Sequence, residues 1–237
     1  MKIPTKQKFT TLLWDVDGTL LDFDYSMRYS LKKCFRTIGK PITEEMINRY
    51  SQINDSYWKK LERGEITKKE LLSARFHDFF EEYGLKGINE EAFRKEYQLG
   101  LGNTYAFLDD ALTIVKSLQG HYRQYVVTNG VSVTQESKLK LSGLMEVMDG
   151  VFISETIGAA KPSRAFFGYC LDHLEEKEQS RILIVGDSMT SDILGGIQAG
   201  IKTCWYNPRE ESHSFSYHAD YEISVLQQIY EVLGIFV

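Results

Sequence analysis

Short apolar segments that end in polar residues recur along the chain, and they constrain its fold more than any other feature. The first is Thr10–Trp14, which is followed by Asp15. An apolar run of this length is typical of a buried strand, and here the strand has a polar tip. Further strand-like segments follow Asp109; they are Tyr125–Thr128, Val151–Ser154, Ile182–Val185, Lys202–Tyr206 and Tyr221–Ser224.

Segments with helical periodicity separate these strands. Strands that alternate with helices predict a mostly parallel sheet with helices on both faces. Ligands of such sheets bind beyond the carboxyl ends of the strands. The predicted helices are Asp109–Leu118, Val131–Leu141, Ser163–Leu174, Asp192–Ala199 and a terminal helix.

Residues 22–105 have a different pattern, because helical periodicity dominates there and strand-like runs are missing. Thr43 suits a helix N-terminus, and Thr67 with Glu70 forms a capping-box signature. Asn89 is a third candidate cap, and Gly100–Asn103 is interpreted as a return linker. We therefore predict a helical insert over residues 22–105.

Composition restricts the classes of function. The chain has 237 residues, enough for a core domain with a smaller insert, and a formal net charge of -5. A mildly acidic chain is a poor candidate for nucleic-acid binding. The three cysteines, Cys34, Cys170 and Cys204, are far apart and predict buried thiols in a reducing compartment. The apolar run Leu12–Trp14 is too short for a signal peptide or a membrane span, so we expect a soluble, cytoplasmic protein without a membrane partner.

The histidines give no metal-binding pattern. His213 and His218 are five residues apart in a polar stretch, which does not match the usual helical spacing of a metal pair. His77, His121 and His173 lie among charged residues. We predict all five to be surface residues.

Four polar segments stand where predicted strands or their connections end, so a parallel sheet can bring them to one edge. Asp15 and Asp17 are two residues apart around a turn, and their carboxylates can face one cleft. One can attack phosphorus, and the other can protonate the leaving oxygen and then deprotonate water. The segments are Asp15–Thr19, Thr128–Gly130, Gly158–Pro162 and Gly186–Asp192.

Several carboxylates close to a phosphate repel it, and a divalent cation with a lysine relieves that repulsion. Mg²⁺ prefers oxygen ligands. We predict Asp15 and Asp187 as its carboxylate ligands, with the main-chain carbonyl of Asp17 also available. The cofactor predicted from the sequence is therefore Mg²⁺.

The phosphate itself needs donors. Lys161 and Thr128, with Asn129 beside it, are predicted to hold phosphate oxygens as charge builds on them. Gly18 and Gly130 would allow the main chain to approach the ligand closely. Each segment alone is more often an ordinary turn, a surface lysine or a helix cap. Their joint order, each after an apolar strand, is what favours a phosphate site.

In these four segments the chain resembles the haloacid dehalogenase superfamily, whose motifs match Asp15–Thr19, Thr128, Lys161 and Gly186–Asp192. The resemblance implies a Rossmann-like α/β core over residues 1–21 and 106–237. It also implies a helical cap over residues 22–105, Asp15 as nucleophile, Asp17 as acid/base and Mg²⁺ as cofactor. Asp192 would be a supporting carboxylate near Lys161.

A narrower resemblance concerns the substrate. Ser51–Asn54 and Tyr57–Trp58, with the second and fourth motifs, are similar to the bacterial house-cleaning pyrimidine 5'-nucleotidases. This implies hydrolysis of nucleoside monophosphates, so the expected partner is a small phosphorylated metabolite. The insert is rich in aromatic residues, and most are predicted to form its core while one or two stack on a base. They are Tyr25, Tyr29, Tyr50, Tyr57, Trp58, Phe76, Phe79 and Phe80.

Other functions remain open on the same core. A haloacid dehalogenase does not keep an acid at position 17, because a halide needs no proton, but a sugar phosphomutase keeps both aspartates. A phosphoryl-accepting signalling module also combines acidic residues, Thr and Lys around a parallel sheet. Asp17 and the long insert argue against that module. The sequence leaves the oligomeric state and the preferred base undetermined.

Overall fold

The structure is a computed structural model that describes residues 8–212 and 214–235. The chain separates into two compact units. One contains the described residues up to Asp22 and from Ala106 onward, and the other is Phe23–Tyr105.

A single parallel sheet organises the first unit. Its strands, among the described residues, are β1 (Thr11–Trp14), β2 (Arg123–Thr128), β3 (Gly150–Ile153), β4 (Ile182–Gly186), β5 (Lys202–Tyr206) and β6 (Tyr221–Ile223). Their order is β3-β2-β1-β4-β5-β6, and every neighbouring pair is parallel. The predicted α/β fold with a parallel sheet is confirmed, and the first strand lies between β2 and β4.

Four helices form the second unit, α1 (Phe23–Thr37), α2 (Glu44–Glu62), α3 (Lys68–Glu82) and α4 (Glu90–Gly102). The predicted caps stand at their starts. The side chain of Thr43 accepts from the main-chain N–H of Met46, and Asn89 caps α4 in the same way. Thr67 and Glu70 form the predicted capping box.

Aromatic rings fill the centre of the helical unit. Tyr50 and Phe76 stack with centroids 5.0 Å apart, and Phe76 meets Tyr97 edge to face at 5.0 Å. Such pairs favour one packing arrangement beyond the area that they bury. Tyr25 and Tyr29 stay 48% and 47% exposed, so they are not part of this core. Contact between an aromatic side chain and a base remains a prediction.

Helices cover both faces of the sheet because successive strand residues point to opposite sides. Leu13 and Val127 pack with Phe166 of the helix that follows Ser163. On the other face, Trp14 donates to Gln124, whose amide donates to the carbonyl of Val115. The helices of this unit are α5 (Ala111–Leu118), α6 (Ser132–Ser142), α7 (Ser154–Ile157), α8 (Arg164–His173), α9 (Leu194–Ala199) and α10 (Ile229–Val232).

The predictions of buried thiols and of exposed histidines hold where the structure describes these residues. Cys34, Cys170 and Cys204 are buried free thiols. The histidines at 77, 121, 173 and 218 are exposed, whereas His213 lies outside the described residues. No helix in the described part of the chain combines the length and apolar character needed to cross a bilayer.

The predicted return linker at Gly100–Asn103 is wrong, because α4 continues to Gly102. Gly100 is not a helix break but a close contact between helices. A Cβ added there would lie 2.7 Å from Oγ and 2.9 Å from Cβ of Ser30 in α1. The glycine therefore lets α1 and α4 approach each other.

The Gly100→Ala variant should be less stable than the wild-type protein, although alanine has the higher helix propensity. Overpacking costs about 1–3 kcal/mol, whereas the propensity gain is about 1 kcal/mol. We expect urea unfolding to show a lower free energy of unfolding. Gly168 in α8 is the matched control, since a Cβ there meets nothing within 4 Å. Gly168→Ala should stabilise by ~0.5–1 kcal/mol, and equal effects at both sites would contradict the interpretation.

Candidate active site

Asp15 directly follows β1 and so stands at the carboxyl end of that strand. Since β1 lies between β2 and β4, Asp15 is at the middle of this edge of the sheet. Its N–H donates to the carbonyl of Val185 at 3.0 Å, which continues the β1–β4 pairing by one residue. The chain then turns sharply, and the N–H groups of Leu20 and Leu21 both return to the carbonyl of Val16. The turn brings the following polar residues to the same end of the sheet.

Gly18 is required in this turn for two reasons. Its φ is +96°, a conformation that L side chains rarely adopt. A Cβ at this position would also lie 2.6 Å from Oδ2 of Asp187. Gly18 therefore lets the first motif pass close to the carboxylate that follows β4.

Lys161 is the centre of the site. Its ammonium lies 2.6 Å from Oδ1 of Asp15, 2.6 Å from Oδ1 of Asp192 and 2.9 Å from the carbonyl of Val127. Three acceptors match the three N–H donors of a lysine. Its side chain is 2% exposed, so these bonds replace its hydration.

Burial alone would lower the pKa of Lys161, but the charges of Asp15 and Asp192 outweigh burial and raise that pKa above its ordinary value. Lys161 is therefore a permanent cation at neutral pH. The pKa of Asp15 moves up to about 7, because burial outweighs the attraction of Lys161 and because Asp192 adds a second negative charge. The single ammonium of Lys161 therefore neutralises only part of the negative charge of these carboxylates.

Asn129 fixes the main chain of Lys161. Its Nδ2 donates to the carbonyl of Lys161 at 2.9 Å, and its Oδ1 accepts from the N–H of Lys161 at 2.9 Å. Asn129, which was predicted to bind phosphate, therefore uses both polar atoms of its side chain to position Lys161. The neighbouring Thr128 is buried at the end of β2, and its hydroxyl accepts from the N–H of Gly130 at 3.0 Å. That hydroxyl keeps its own proton to donate.

Asp187 follows β4 and is tied to the first motif by Thr19. The Thr19 hydroxyl accepts from the N–H of Asp187 at 3.1 Å and lies 3.2 Å from its Oδ1 and 3.3 Å from Oδ2 of Asp15. The indole N–H of Trp205 donates to the Asp187 carbonyl at 2.8 Å. Thr19 and Trp205 were not among the predicted site residues, although Thr19 lies within the first motif.

Asp192 supports Lys161 from a π-helical turn, Met189–Ile193, that precedes α9. One carboxylate oxygen binds the ammonium, and the other accepts from the N–H of Ser188 at 3.2 Å. Its side chain is 1% exposed. The predicted helix start at Asp192 therefore gives way to a wider turn that aims this carboxylate at Lys161.

The carboxylates fit a divalent cation. Ligand oxygens of Asp15, Asp187 and Asp192 lie within 4.8 Å of one another. When all three carboxylates are ionised, they and the one ammonium have a net charge of about −2, which a dication balances. Asp187 is exposed as a residue, but partial loss of hydration at its carboxylate, together with the charges of Asp15 and Asp192, raises its pKa above the usual range. Both oxygens of Asp192 are already engaged, one by Lys161 and the other by the N–H of Ser188, whereas Lys161 binds only Oδ1 of Asp15. Asp15 and Asp187 are therefore the better placed ligands for Mg²⁺.

The side chain of Asp17 makes its contacts with a different helix and not with Lys161 or the metal-site carboxylates. Its Oδ1 lies 2.5 Å from Nζ of Lys138, and its Oδ2 lies 2.5 Å from Nε2 of Gln135. Both partners belong to α6, and sequence reasoning missed them. The spacing of three residues gave them a shared helical face, but nothing in the sequence indicated what that face would meet.

The structure thus brings the four predicted segments together at the carboxyl edge of the sheet. Direct contacts join Lys161 to Asp15 and Asp192, and Thr19 joins Asp15 to Asp187. A nucleophilic carboxylate beside a buried cation, with hydroxyl donors nearby, is suited to phosphoryl chemistry. The fold and this constellation define an α/β hydrolytic enzyme with its site at the strand ends.

The comparison with known families agrees. Residues 9–200 match the haloacid dehalogenase-like hydrolase family, and the chain belongs to that family. The HAD-hydrolase YfnB of Bacillus subtilis is 34% identical, with 97% of each chain covered. The crystal structure of YfnB bound to magnesium has a TM-score of 0.90 and 35% identity, covering 96% of this chain and 100% of that one.

Two further relatives carry a defined activity in their names. The pyrimidine 5'-nucleotidase YjjG of Escherichia coli is 30% identical to this chain, and the match covers 95% of this chain and 98% of YjjG. The pyrimidine 5'-nucleotidase PynA of Streptococcus pneumoniae is 32% identical, and the match covers 94% of this chain and 94% of PynA. The similarity therefore extends through the helical unit as well as the sheet.

Replacement of Lys161 by methionine should destabilise the fold. The change leaves Asp15 and Asp192 buried without their shared cation, and removing one partner of a buried pair costs about 3–5 kcal/mol. Urea unfolding at pH 8 without added metal would measure this loss. Lys177 is exposed and its ammonium donates to the main-chain carbonyls of Leu171 and Asp172, so Lys177→Met is the control, with an expected change within ~0.5 kcal/mol. Similar losses in both variants would show that the Lys161 ion pairs contribute nothing special.

Proposed function

We propose that this hydrolase is a magnesium-dependent phosphatase of small phosphomonoesters, with pyrimidine nucleoside monophosphates as its substrates. The observation that carries the proposal is the shared position of Asp15, Lys161 and Asp187 at one edge of the sheet, with a second acid at Asp17. The two pyrimidine 5'-nucleotidase relatives support the choice of substrate.

The first half of the reaction transfers the phosphoryl group to the enzyme. A carboxylate oxygen of Asp15 attacks phosphorus, and the P–O bond to the substrate's alcohol breaks. The departing oxygen takes a proton from the carboxyl group of Asp17, so the product leaves as an alcohol. The enzyme then carries an aspartyl-phosphate on Asp15 and an ionised Asp17.

The second half regenerates the enzyme. Asp17 accepts a proton from water as the water oxygen attacks phosphorus, and the bond between phosphorus and Asp15 breaks. Inorganic phosphate leaves, Asp15 returns as a carboxylate and Asp17 is protonated again. Covalent catalysis of this kind divides one difficult step into two easier ones.

Fixed donors surround the phosphoryl group in both halves. The ammonium of Lys161 is held beside Asp15, and the Thr128 hydroxyl stands at the end of the adjacent strand. The Thr128 hydroxyl can donate to a phosphoryl oxygen, and the positive charge of Lys161 stabilises negative charge on the phosphoryl group through space while its ammonium keeps its three hydrogen bonds. Mg²⁺ bound by Asp15 and Asp187, with the Asp17 main-chain carbonyl as a further ligand, would supply the remaining positive charge.

Asp17 also separates this function from the alternatives on the same fold. A dehalogenation needs no proton donor for its leaving group, so the second acid favours phosphoryl transfer. A sugar phosphomutase would use the same residues but release no phosphate. A signalling module would keep its aspartyl-phosphate instead of hydrolysing it. We propose that residues 22–105 act as the cap implied by the resemblance to the superfamily.

The purified protein with Mg²⁺ should release phosphate from pyrimidine nucleoside monophosphates faster than from purine nucleotides or sugar phosphates. Asp15→Asn should reduce kcat by ~10⁵-fold or more, because the amide is not a comparable nucleophile. Phosphate release by a colorimetric assay is the measurement. Asp172→Asn, an exposed acid in α8, is the matched control and should leave kcat unchanged.

Full turnover by Asp15→Asn would eliminate Asp15 as nucleophile. Isomerisation of a sugar phosphate without phosphate release would instead identify a mutase. A stable phosphorylated protein with negligible turnover would favour the signalling module. Equal rates of phosphate release from all the esters would support a phosphatase but contradict the preference for pyrimidine nucleotides.

Mg²⁺ should stabilise the protein at pH 8 and do so much less at pH 5. The pKa of Asp15 is raised to about 7 in the folded protein, so its charge destabilises the fold above that pH and the penalty is relieved on acidification. Protons therefore compete with the cation at low pH. With Mg²⁺ at ~100 times its Kd, stabilisation should reach about 2.7 kcal/mol at pH 8.

Thermal unfolding with and without MgCl₂ at both pH values measures this effect. KCl at matched ionic strength controls for screening. Asp187→Asn should abolish the shift at pH 8 because it removes a proposed ligand. Equal shifts in wild type and Asp187→Asn would exclude this carboxylate as a ligand.

A further inference from the structure

Two side chains of α6 hold the carboxylate of Asp17. The ammonium of Lys138 donates to one oxygen and the amide of Gln135 donates to the other, each at 2.5 Å. Each oxygen of Asp17 therefore has its own donor. The carboxylate cannot rotate without losing one of these bonds, so its orientation is set from α6.

Both donors are buried to an unusual degree. Lys138 and Gln135 are each 1% exposed, whereas the Asp17 side chain is 23% exposed. Lysine is almost never fully buried unless it is paired, because a buried ammonium loses its hydration. Among the described residues, Oε1 of Gln135 has no hydrogen-bond partner, so the contact with Asp17 is what orients this amide. Apolar side chains would fill the same space with less desolvation.

Gly130 of the second motif keeps the path of Gln135 open. A Cβ at position 130 would lie 2.2 Å from Nε2 of Gln135 and 2.6 Å from its Cδ. Any larger residue would displace the amide from Asp17. The glycine therefore serves the contact between α6 and the first motif, in addition to any close approach of a ligand.

We propose that Lys138 and Gln135 are positioning residues that fix the Asp17 carboxyl group for proton transfer to the leaving oxygen. The proposal rests on the proposed function, which gives Asp17 its acid/base role. The proton moves from Asp17 to the ester oxygen as the P–O bond breaks, and Lys138 and Gln135 keep their own protons. A displacement of a catalytic group by ~1 Å costs on the order of 10²-fold in rate.

The test uses two esters of similar shape whose leaving groups differ in their need for a proton. Phenolate leaving from phenyl phosphate needs the proton, whereas 2,4-dinitrophenolate does not. In Gln135→Leu and Lys138→Met, kcat/KM should fall by ~10–100-fold for phenyl phosphate and by at most ~3-fold for 2,4-dinitrophenyl phosphate. kcat/KM is the right quantity because it covers only the steps up to departure of the leaving group.

Three controls isolate positioning from structure and charge. Lys140→Met removes an exposed lysine of the same helix and should leave both values unchanged. Gln135→Leu keeps the net charge, so it carries the test alone if Lys138→Met fails to fold in thermal unfolding. In an Asp17→Asn background, Gln135→Leu should cause no further loss, since its effect acts through Asp17.

The outcomes separate the two proposals. Equal losses for both esters in Gln135→Leu, or a further loss in the Asp17→Asn background, would overturn the positioning role while the phosphatase stands. A wild-type protein that releases phosphate neither from these esters nor from any nucleoside monophosphate would overturn the proposed function and the positioning role together. A ratio of the two kcat/KM values that changes only in the Gln135 and Lys138 variants supports both.

Discussion

The buried ammonium of Lys161 is the interaction on which the site depends. It neutralises part of the charge of Asp15 and Asp192 and binds the Val127 carbonyl at the same time, so it joins three segments that are remote in sequence. An ion of this kind is stable in a protein interior only if every N–H finds an acceptor. The loop that carries Lys161, the end of β2 and the turn before α9 must therefore keep their relative positions.

The parallel sheet provides that rigidity. Trp14 pairs with Val126 on one side and with Val185 on the other, so the residues that follow the three strands are brought level at one edge. The same edge then holds two charge systems of different kinds. Asp15, Asp187 and Asp192 exceed their one ammonium, which favours a dication, whereas Asp17 has a lysine of its own. This separation suits the proposed division between a nucleophilic carboxylate that binds the metal and the Asp17 carboxyl group that transfers protons.

Much of the fold could be read from the sequence because its signals are local. Strand-like runs predicted the positions of all the sheet strands to within two residues at either end, and the caps at Thr43, Thr67 and Asn89 are formed as predicted. Gly100 misled the interpretation because glycine has two local meanings, a break or a close helix contact. Only the partner helix, which brings Ser30 against it, decides between them.

The sequence by itself determined which residues stand at strand ends, and so which carboxylates and which lysine can meet at one edge. It could not determine the second set of contacts, because Gln135 and Lys138 lie within a helix and not at a strand end. In the sequence Gln135 and Lys138 are polar residues of a predicted helix, and only the packing of α6 brings them to Asp17. Local periodicity fixes the face on which a side chain lies, but the partner of that face depends on how the elements pack. For that reason the candidate chemistry was visible in the sequence, and the structure alone showed what holds Asp17 in place.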